Sequence, residues 1–194
     1  MPKTALIPLA EGCEEIEAIT VIDVLRRADV EVSIAAVSET KGLSITGAHG
    51  IEINADCSID SCVNRDWDLI AVPGGIPGAE NLANCQSLDI LLRSQVQQGR
   101  LYAAICAAPA LVLGSKGLLE DKTATGHPMF QQNLSAKELN SESRVVVDGN
   151  CITSQGPGTA LDFALELVEQ LCGVVKREEV SAPMVLTTSA TAYY

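Results

Sequence analysis

Aromatic residues are almost missing from this chain: Phe, Trp and Tyr together make up 3% of its 194 residues. A core must then be built from Ala, Val, Ile and Leu, as is common where parallel strands pack under helices. Positive charge is also scarce, with 13 Lys+Arg against 25 Asp+Glu and a formal net charge of −12. That argues against stable nucleic-acid binding, which needs clustered cations facing phosphates, and equally against an anionic membrane surface. No apolar run approaches the ~18 residues of a membrane span. The run that follows Lys3 stops at Glu11; it is too short for a signal-peptide core and has no cleavage pattern behind it. There is no C-x-x-C pair, and His49 and His127 are the only histidines. Cys57 and Cys62 have no second pair to complete a tetrahedral zinc site, so neither a metal nor a cofactor is expected. Seven cysteines, an odd count, do not make a disulfide framework. A reducing cytoplasm with free thiols is the expected setting.

Apolar residues make up 47% of the chain, too many for disorder, and the length suits one domain over residues 1–194. Residues 4–9 form a short apolar strand. Residues 14–27 have helical spacing, with Ile16, Ile19, Ile22 and Leu25 assigned to one face. Glutamates stand in its first turn and Arg26 and Arg27 in its last, as the helix dipole prefers. Residues 30–37, 69–72 and 101–105 read as further strands. Residues 43–45 and 51–53, flanked by glycines, predict a hairpin excursion. Helices are expected over 88–98, 107–113 and 159–171, closed by Gly99, Gly114 and Gly173. Asp148-Gly149-Asn150 between two apolar triplets is a hairpin turn. Strands alternating with helices give an α/β fold, doubly wound around a mostly parallel sheet. Residues 187–194 are small and polar apart from the terminal tyrosines, and read as a tail that frays or docks on a partner.

In such sheets, sites form beyond the carboxyl ends of the strands. Cys106 stands where an apolar strand gives way to a helix, among small residues that permit a sharp elbow. A helix N-terminus favours thiolate there, whereas the bland alternative is a small core filler. Gly74 and Gly75 follow the strand 69–72 and allow backbone N–H groups to approach a ligand. If the two strands are neighbours, the N–H groups of Gly75 and Ala107 make an oxyanion hole beside Cys106. Glu17 lies on a face shared with Thr20, Val21 and Val24, where a carboxylate is costly unless paired. Glu15 reads as a solvated helix start, and Glu14 fits either role. His127, ahead of Pro128, is extended, and a lone loop histidine is more often incidental than catalytic.

Five segments occur together and in order: Gly12-Cys13-Glu14-Glu15-Ile16-Glu17, Val72-Pro73-Gly74-Gly75, Ala104-Ile105-Cys106-Ala107-Ala108-Pro109, Thr125-Gly126-His127-Pro128 and Thr153 through Thr159. In this the chain resembles the ThiJ/PfpI superfamily, within the branch that includes a Parkinson-disease-associated deglycase and a bacterial chaperone. The resemblance implies a flavodoxin-like sandwich, usually a homodimer. It implies that Cys106 is an oxidation-prone nucleophile with Glu17 beside its sulfur, and that Gly75 and Ala107 supply the oxyanion donors. Glu14, Arg27 and His127 match positions near the site, and Pro157 one that approaches it from the partner subunit. The implied substrates are small α-dicarbonyl compounds such as methylglyoxal, converted to 2-hydroxy acids, and early glycation adducts. Redox-linked chaperoning is the implied alternative. Ala107 stands where the protease branch has histidine, which removes a Cys–His pair and argues against a peptidase. His49 stands where relatives place an arginine near the pocket.

Overall fold

The computed structural model describes residues 2–38, 40 and 42–186; the 187–194 tail lies outside them. In chain order the elements begin with β1 (Thr4–Ala10), α1 (Glu15–Arg27), β2 (Glu31–Val37), β3 (Ser44–Thr46), β4 (Glu52–Asn54) and β5 (Cys57–Ser58). Next come β6 (Leu69–Val72), α2 (Gly78–Ala83), α3 (Gln86–Gln97), β7 (Leu101–Ile105), β8 (Thr123–Ala124) and β9 (Glu138–Leu139). The chain continues with β10 (Val145–Asp148), β11 (Cys151–Ser154), α4 (Ala160–Cys172) and α5 (Val174–Ser181).

Seven strands form the central sheet in the order β10-β11-β7-β6-β1-β2-β5. All its pairings are parallel except the β10–β11 hairpin. β1, β6 and β7 are apolar along almost their whole length because helices cover both faces. The chain steps from β1 to β2 in one direction and from β6 to β7 in the other. Right-handed crossovers therefore put α1 and α3 on opposite faces. α4 packs against α1, and α3 against β6 and β7. The order reverses between β1 and β6, the place beyond whose carboxyl ends sheets of this kind form their sites.

Three expectations change in the structure. Ile22 and Leu25 are buried as expected, but Ile16 and Ile19 are 56% and 44% exposed, and Glu15, Glu17, Ala18, Val21 and Val24 complete the buried side of α1. At about 100° per residue, repeated i,i+3 steps drift by about 60° each, so Ile16 and Leu25 end on opposite sides of the helix. The helix expected over 107–113 begins as a π-type turn, Pro109–Leu113, and runs on through Gly114 as a 3-10 turn. Gly117, at φ 74°, ends it. Gly114 is helical and serves packing: a Cβ there would collide with the Leu134 carbonyl. Gly114→Ala should cost about 1–3 kcal/mol, seen as a Tm several degrees lower by circular dichroism.

Candidate active site

The β6–β7 register pairs Val72 with Ala104, so the two strands run off the sheet edge together. Gly74 lands beside Cys106: a Cβ on Gly74 would lie 2.7 Å from the Cys106 Cβ and 2.9 Å from Glu17 Oε2. Only glycine leaves room at this position for the Cys106 and Glu17 side chains and the Ile105 carbonyl. Cys106 itself has φ 66°, in the left-handed region that costs a side-chain-bearing residue about 1–2 kcal/mol. Neighbours hold it there from both sides. Its N–H donates to the Ser154 carbonyl at 3.0 Å, and its carbonyl accepts from the His127 N–H at 2.8 Å. On this elbow 9% of the residue stays exposed. The backbone N–H groups of Gly75 and Ala107 lie near enough to the sulfur to favour its charged form. Gly75, at φ 89°, can present its N–H because it carries no side chain.

Glu17 enters from the first turn of α1 and is 0% exposed. Glu14 caps that helix, its Oε2 accepting the Glu17 N–H at 2.7 Å. Glu17 Oε2 accepts the Gly74 N–H at 2.8 Å, while Oε1 is buried with no donor resolved to it. The space beneath the carboxyl, walled by Ile7, Ala18, Val21, Val72 and Phe163, is too narrow to admit a water molecule. Burial pushes the Glu17 carboxyl up to about 7. The Gly74 N–H and the Cys106 thiol work against this, and the charge of Glu14 adds to it.

The thiol departs from the expectation that its helix start favours thiolate. Burial, then the neighbouring charge of Glu17, pushes Cys106 up to about 12 against the nearby Gly75 and Ala107 N–H groups. Thiol and carboxyl therefore titrate as a coupled pair. Once Glu17 has lost its proton, one proton remains between the two groups, and it is held tightly. With the proton on sulfur the carboxylate is a base in contact with a nucleophile. With the proton on oxygen the sulfur is a thiolate facing two N–H donors. Both arrangements belong to one protonation state.

His127 joins from the loop after β8. Its Nδ1 accepts the Met129 N–H at 3.3 Å, which places the proton of the neutral ring on Nε2. Its ring meets Phe130 edge-on at 6.1 Å. Pro157 opens a short turn, Pro157–Thr159, next to Gly156, where a Cβ would lie 3.4 Å from His127 Cδ2. Arg27 stands apart. It occupies the last turn of α1, pairs with Asp23 at 2.7 Å and lines a surface depression with Lys176 and Glu179.

Glu15 is not the solvated residue expected: it is 4% exposed and takes the place of a linchpin between α1 and the β3–β4 excursion. Its Oε1 accepts the His49 backbone N–H at 2.7 Å, and its Oε2 meets His49 Nδ1 at 2.9 Å. Burial opposes charge on Glu15, but the His49 ring and backbone donors outweigh it and hold the carboxyl near 2. Glu14, Glu15 and His49 could hold a metal ion, with ligand atoms within 4.8 Å of one another. Those of Glu15 and His49 already hydrogen-bond each other. Ser154 is a positioning residue that the sequence does not reveal. Its carbonyl fixes the Cys106 elbow, and its hydroxyl, bonded to Arg144 O and Thr159 Oγ1 at 2.7 Å each, fixes Ser154. Because it reaches Cys106 through a backbone carbonyl, which every residue carries, residue type gives little signal of that contact.

Among the described residues no helix is long and apolar enough to cross a membrane. The model of the DJ-1/PfpI family matches residues 3–170. Protein DJ-1 homolog A of Arabidopsis thaliana is 47% identical over 185 residues, covering 95% of this chain and 47% of its own length. The chain thus spans less than half of that relative, and 42% of homolog B from the same plant. A Caenorhabditis elegans protein named glutathione-independent glyoxalase DJR-1.2 is 36% identical, with 95% of this chain and 97% of its own covered. Among solved structures, Toxoplasma gondii DJ-1, described as oxidized, superposes with a TM-score of 0.90 at 38% identity over 94% of this chain and 98% of its own. These matches agree with the flavodoxin-like sheet, and the family model spans all five segments around the elbow: the chain belongs to the DJ-1/PfpI family.

Proposed function

We propose that this chain is a cofactor-independent, cysteine-dependent enzyme of α-oxoaldehyde detoxification in the cytoplasm, converting methylglyoxal to lactate. Removal of early glycation adducts is a second outlet of the same chemistry. The observation that carries this reading is Cys106 held at φ 66° on its elbow, where Gly74 brings it beside the fully buried carboxyl of Glu17. The name of the nematode relative supports it.

The steps balance without an added reagent. Glu17 takes the thiol proton as sulfur attacks the aldehyde carbon, and the Gly75 and Ala107 N–H groups hold the oxygen that gains charge. Protonation of that oxygen gives a hemithioacetal. Glu17 then removes the hydrogen from this carbon and returns a proton to the neighbouring one, leaving a thioester of 2-hydroxypropanoate. His127, protonated at Nε2, assists at the ketone oxygen. Water cleaves the thioester, releasing lactate and the thiol. The reactive state requires the Cys106–Glu17 pair to carry one proton. Below about 7 Glu17 is protonated as well, so kcat/KM should fall toward tenfold per pH unit on the acid side. A pH-rate profile from 5 to 9 reads this directly.

The test of the function itself is incubation of pure protein with methylglyoxal in the absence of any small thiol, with lactate measured by chromatography. Lactate formed in step with methylglyoxal lost supports the reading. Loss of methylglyoxal into protein adducts alone, without lactate, contradicts it.

One observation favours a second role. The two N–H groups and a protonated Glu17 together offer three donors to the oxygens of a sulfinate on Cys106. A redox-regulated chaperone acting through that oxidation is the alternative reading, tested by intact mass and client aggregation after mild peroxide. As to assembly, the exposed Ile16 and Ile19 on α1 suit a second copy of the chain, and light scattering should give the mass of a dimer.

A further inference from the structure

Two thiols outside this site have been brought together by the fold. Cys57 lies on β5, the edge strand of the sheet, and Cys62 ends the 3-10 turn Ile59–Cys62 directly after it. Their sulfurs are 3.5 Å apart, in direct contact. Each thiol also points weakly at a backbone carbonyl, Cys57 at Ile34 O (3.9 Å) and Cys62 at Ser58 O (3.6 Å).

The surroundings divide the labour. Cys57 is half-buried and within reach of a small reagent, while Cys62 is 3% exposed. Burial, then the neighbouring Cys57 thiol, pushes Cys62 up to about 12, with Ser61 and the Arg65 guanidinium working against it. Cys57 is thus the sulfur an oxidant meets first, and Cys62 the one that waits behind it. β5 is four strands from β7 in the sheet order, roughly 19 Å sideways at the usual strand spacing. The pair is therefore physically separate from Cys106.

We propose that Cys57 and Cys62 form a second redox site, a dithiol that peroxide converts to an intramolecular disulfide. The Cys57 sulfur attacks peroxide, the O–O bond breaks, and one water leaves with the thiol proton, giving a sulfenic acid. Cys62 then attacks that sulfur. The S–S bond forms as the S–O bond breaks, and the hydroxyl departs as a second water with the Cys62 proton. Two electrons pass from the dithiol to the peroxide. The sulfurs have only to close from 3.5 Å to a bond of about 2.05 Å. The disulfide would tie the edge strand to the turn behind it. This site does not depend on the catalytic reading of Cys106.

Trypsin makes the test clean, because residues 42–65 form one fragment that holds Cys57 and Cys62 and no other cysteine, while Cys106 falls in the fragment 101–116. The native chain is treated with stoichiometric hydrogen peroxide, denatured in N-ethylmaleimide and digested. The expected result is a 42–65 fragment two hydrogens lighter with neither sulfur alkylated, and restored to two alkylated sulfurs by prior dithiothreitol. Alkylation of both sulfurs after peroxide, or a stable oxyacid on Cys57 beside an alkylated Cys62, overturns the proposal. In Cys62→Ala, a dimedone adduct should accumulate on Cys57. Equal dimedone labelling of Cys57 in the native chain would show that Cys62 does not resolve it.

Discussion

Glu17→Gln will lower turnover of methylglyoxal by about 10²–10⁴-fold, the usual worth of a positioned general base, yet leave Cys106 at least as open to iodoacetamide at pH 8 as in the native chain. The two effects separate because the proposed mechanism gives Glu17 two parts. As the proposed base it moves protons, and glutamine cannot. As a charge it raises the thiol, and glutamine does not. The amide still offers a carbonyl oxygen to the Gly74 N–H, which now meets Glu17 Oε2 at 2.8 Å, so the elbow should stand. Stability gives an independent reading of the same residue. The Glu17 carboxyl titrates near 7 in the folded chain against about 4.3 when unfolded. Its folded pKa is raised, so its contribution to stability is full below the unfolded value and is lost as pH rises through about 7. Glutamine removes that loss. Glu17→Gln should therefore melt a few degrees higher than the native chain at pH 8 and at about the same temperature at pH 4.5. A variant that loses turnover and thiol reactivity in parallel would show that glutamine has deformed the site.

Gly75→Ala carries the second large effect. At φ 89° the backbone of Gly75 lies where a Cβ is strained, and that Cβ would sit 2.5 Å from Glu14 N and 2.6 Å from Gly12 O. Both obstacles are main-chain atoms, so the loop must move. Movement withdraws one of the two N–H groups from Cys106. An oxyanion donor is worth about 10²–10³ in kcat, and strain with overpacking should cost about 2 kcal/mol or more. Gly50→Ala is the control. It has a similar φ of 85° but nothing within 4 Å of the added carbon, so it should lose a little stability and no activity.

Much of this was legible in the sequence. The apolar strands ending in Pro73-Gly74-Gly75 and in Cys106 were readable because fully buried parallel strands are runs of one residue class, and glycine marks close approach. Glu17 was readable because a carboxylate amid Val21 and Val24 has few innocent explanations. Three things were not readable, each for a physical reason. α5 carries Lys176, Arg177, Glu178 and Glu179 in its middle and buries Val180 without an apolar stripe, while Arg177 pairs with Glu166 and Glu169. The direction of the Cys106 shift depends on burial and on a carboxylate 89 residues away, which no local rule sees. The Glu15–His49 pair and the Cys57–Cys62 contact exist only because the β3–β4 excursion folds over the start of α1 and the turn after β5 folds back on itself.

The central claim is that the Cys106 sulfur bonds covalently to the aldehyde carbon and that nothing else in the chain can replace it. The most direct measurement is lactate formation from methylglyoxal by Cys106→Ser, beside the native chain at pH 8 and with no added thiol. Lactate at the level of buffer alone is the predicted result. Lactate at the native rate would contradict the claim and place the chemistry elsewhere in the molecule.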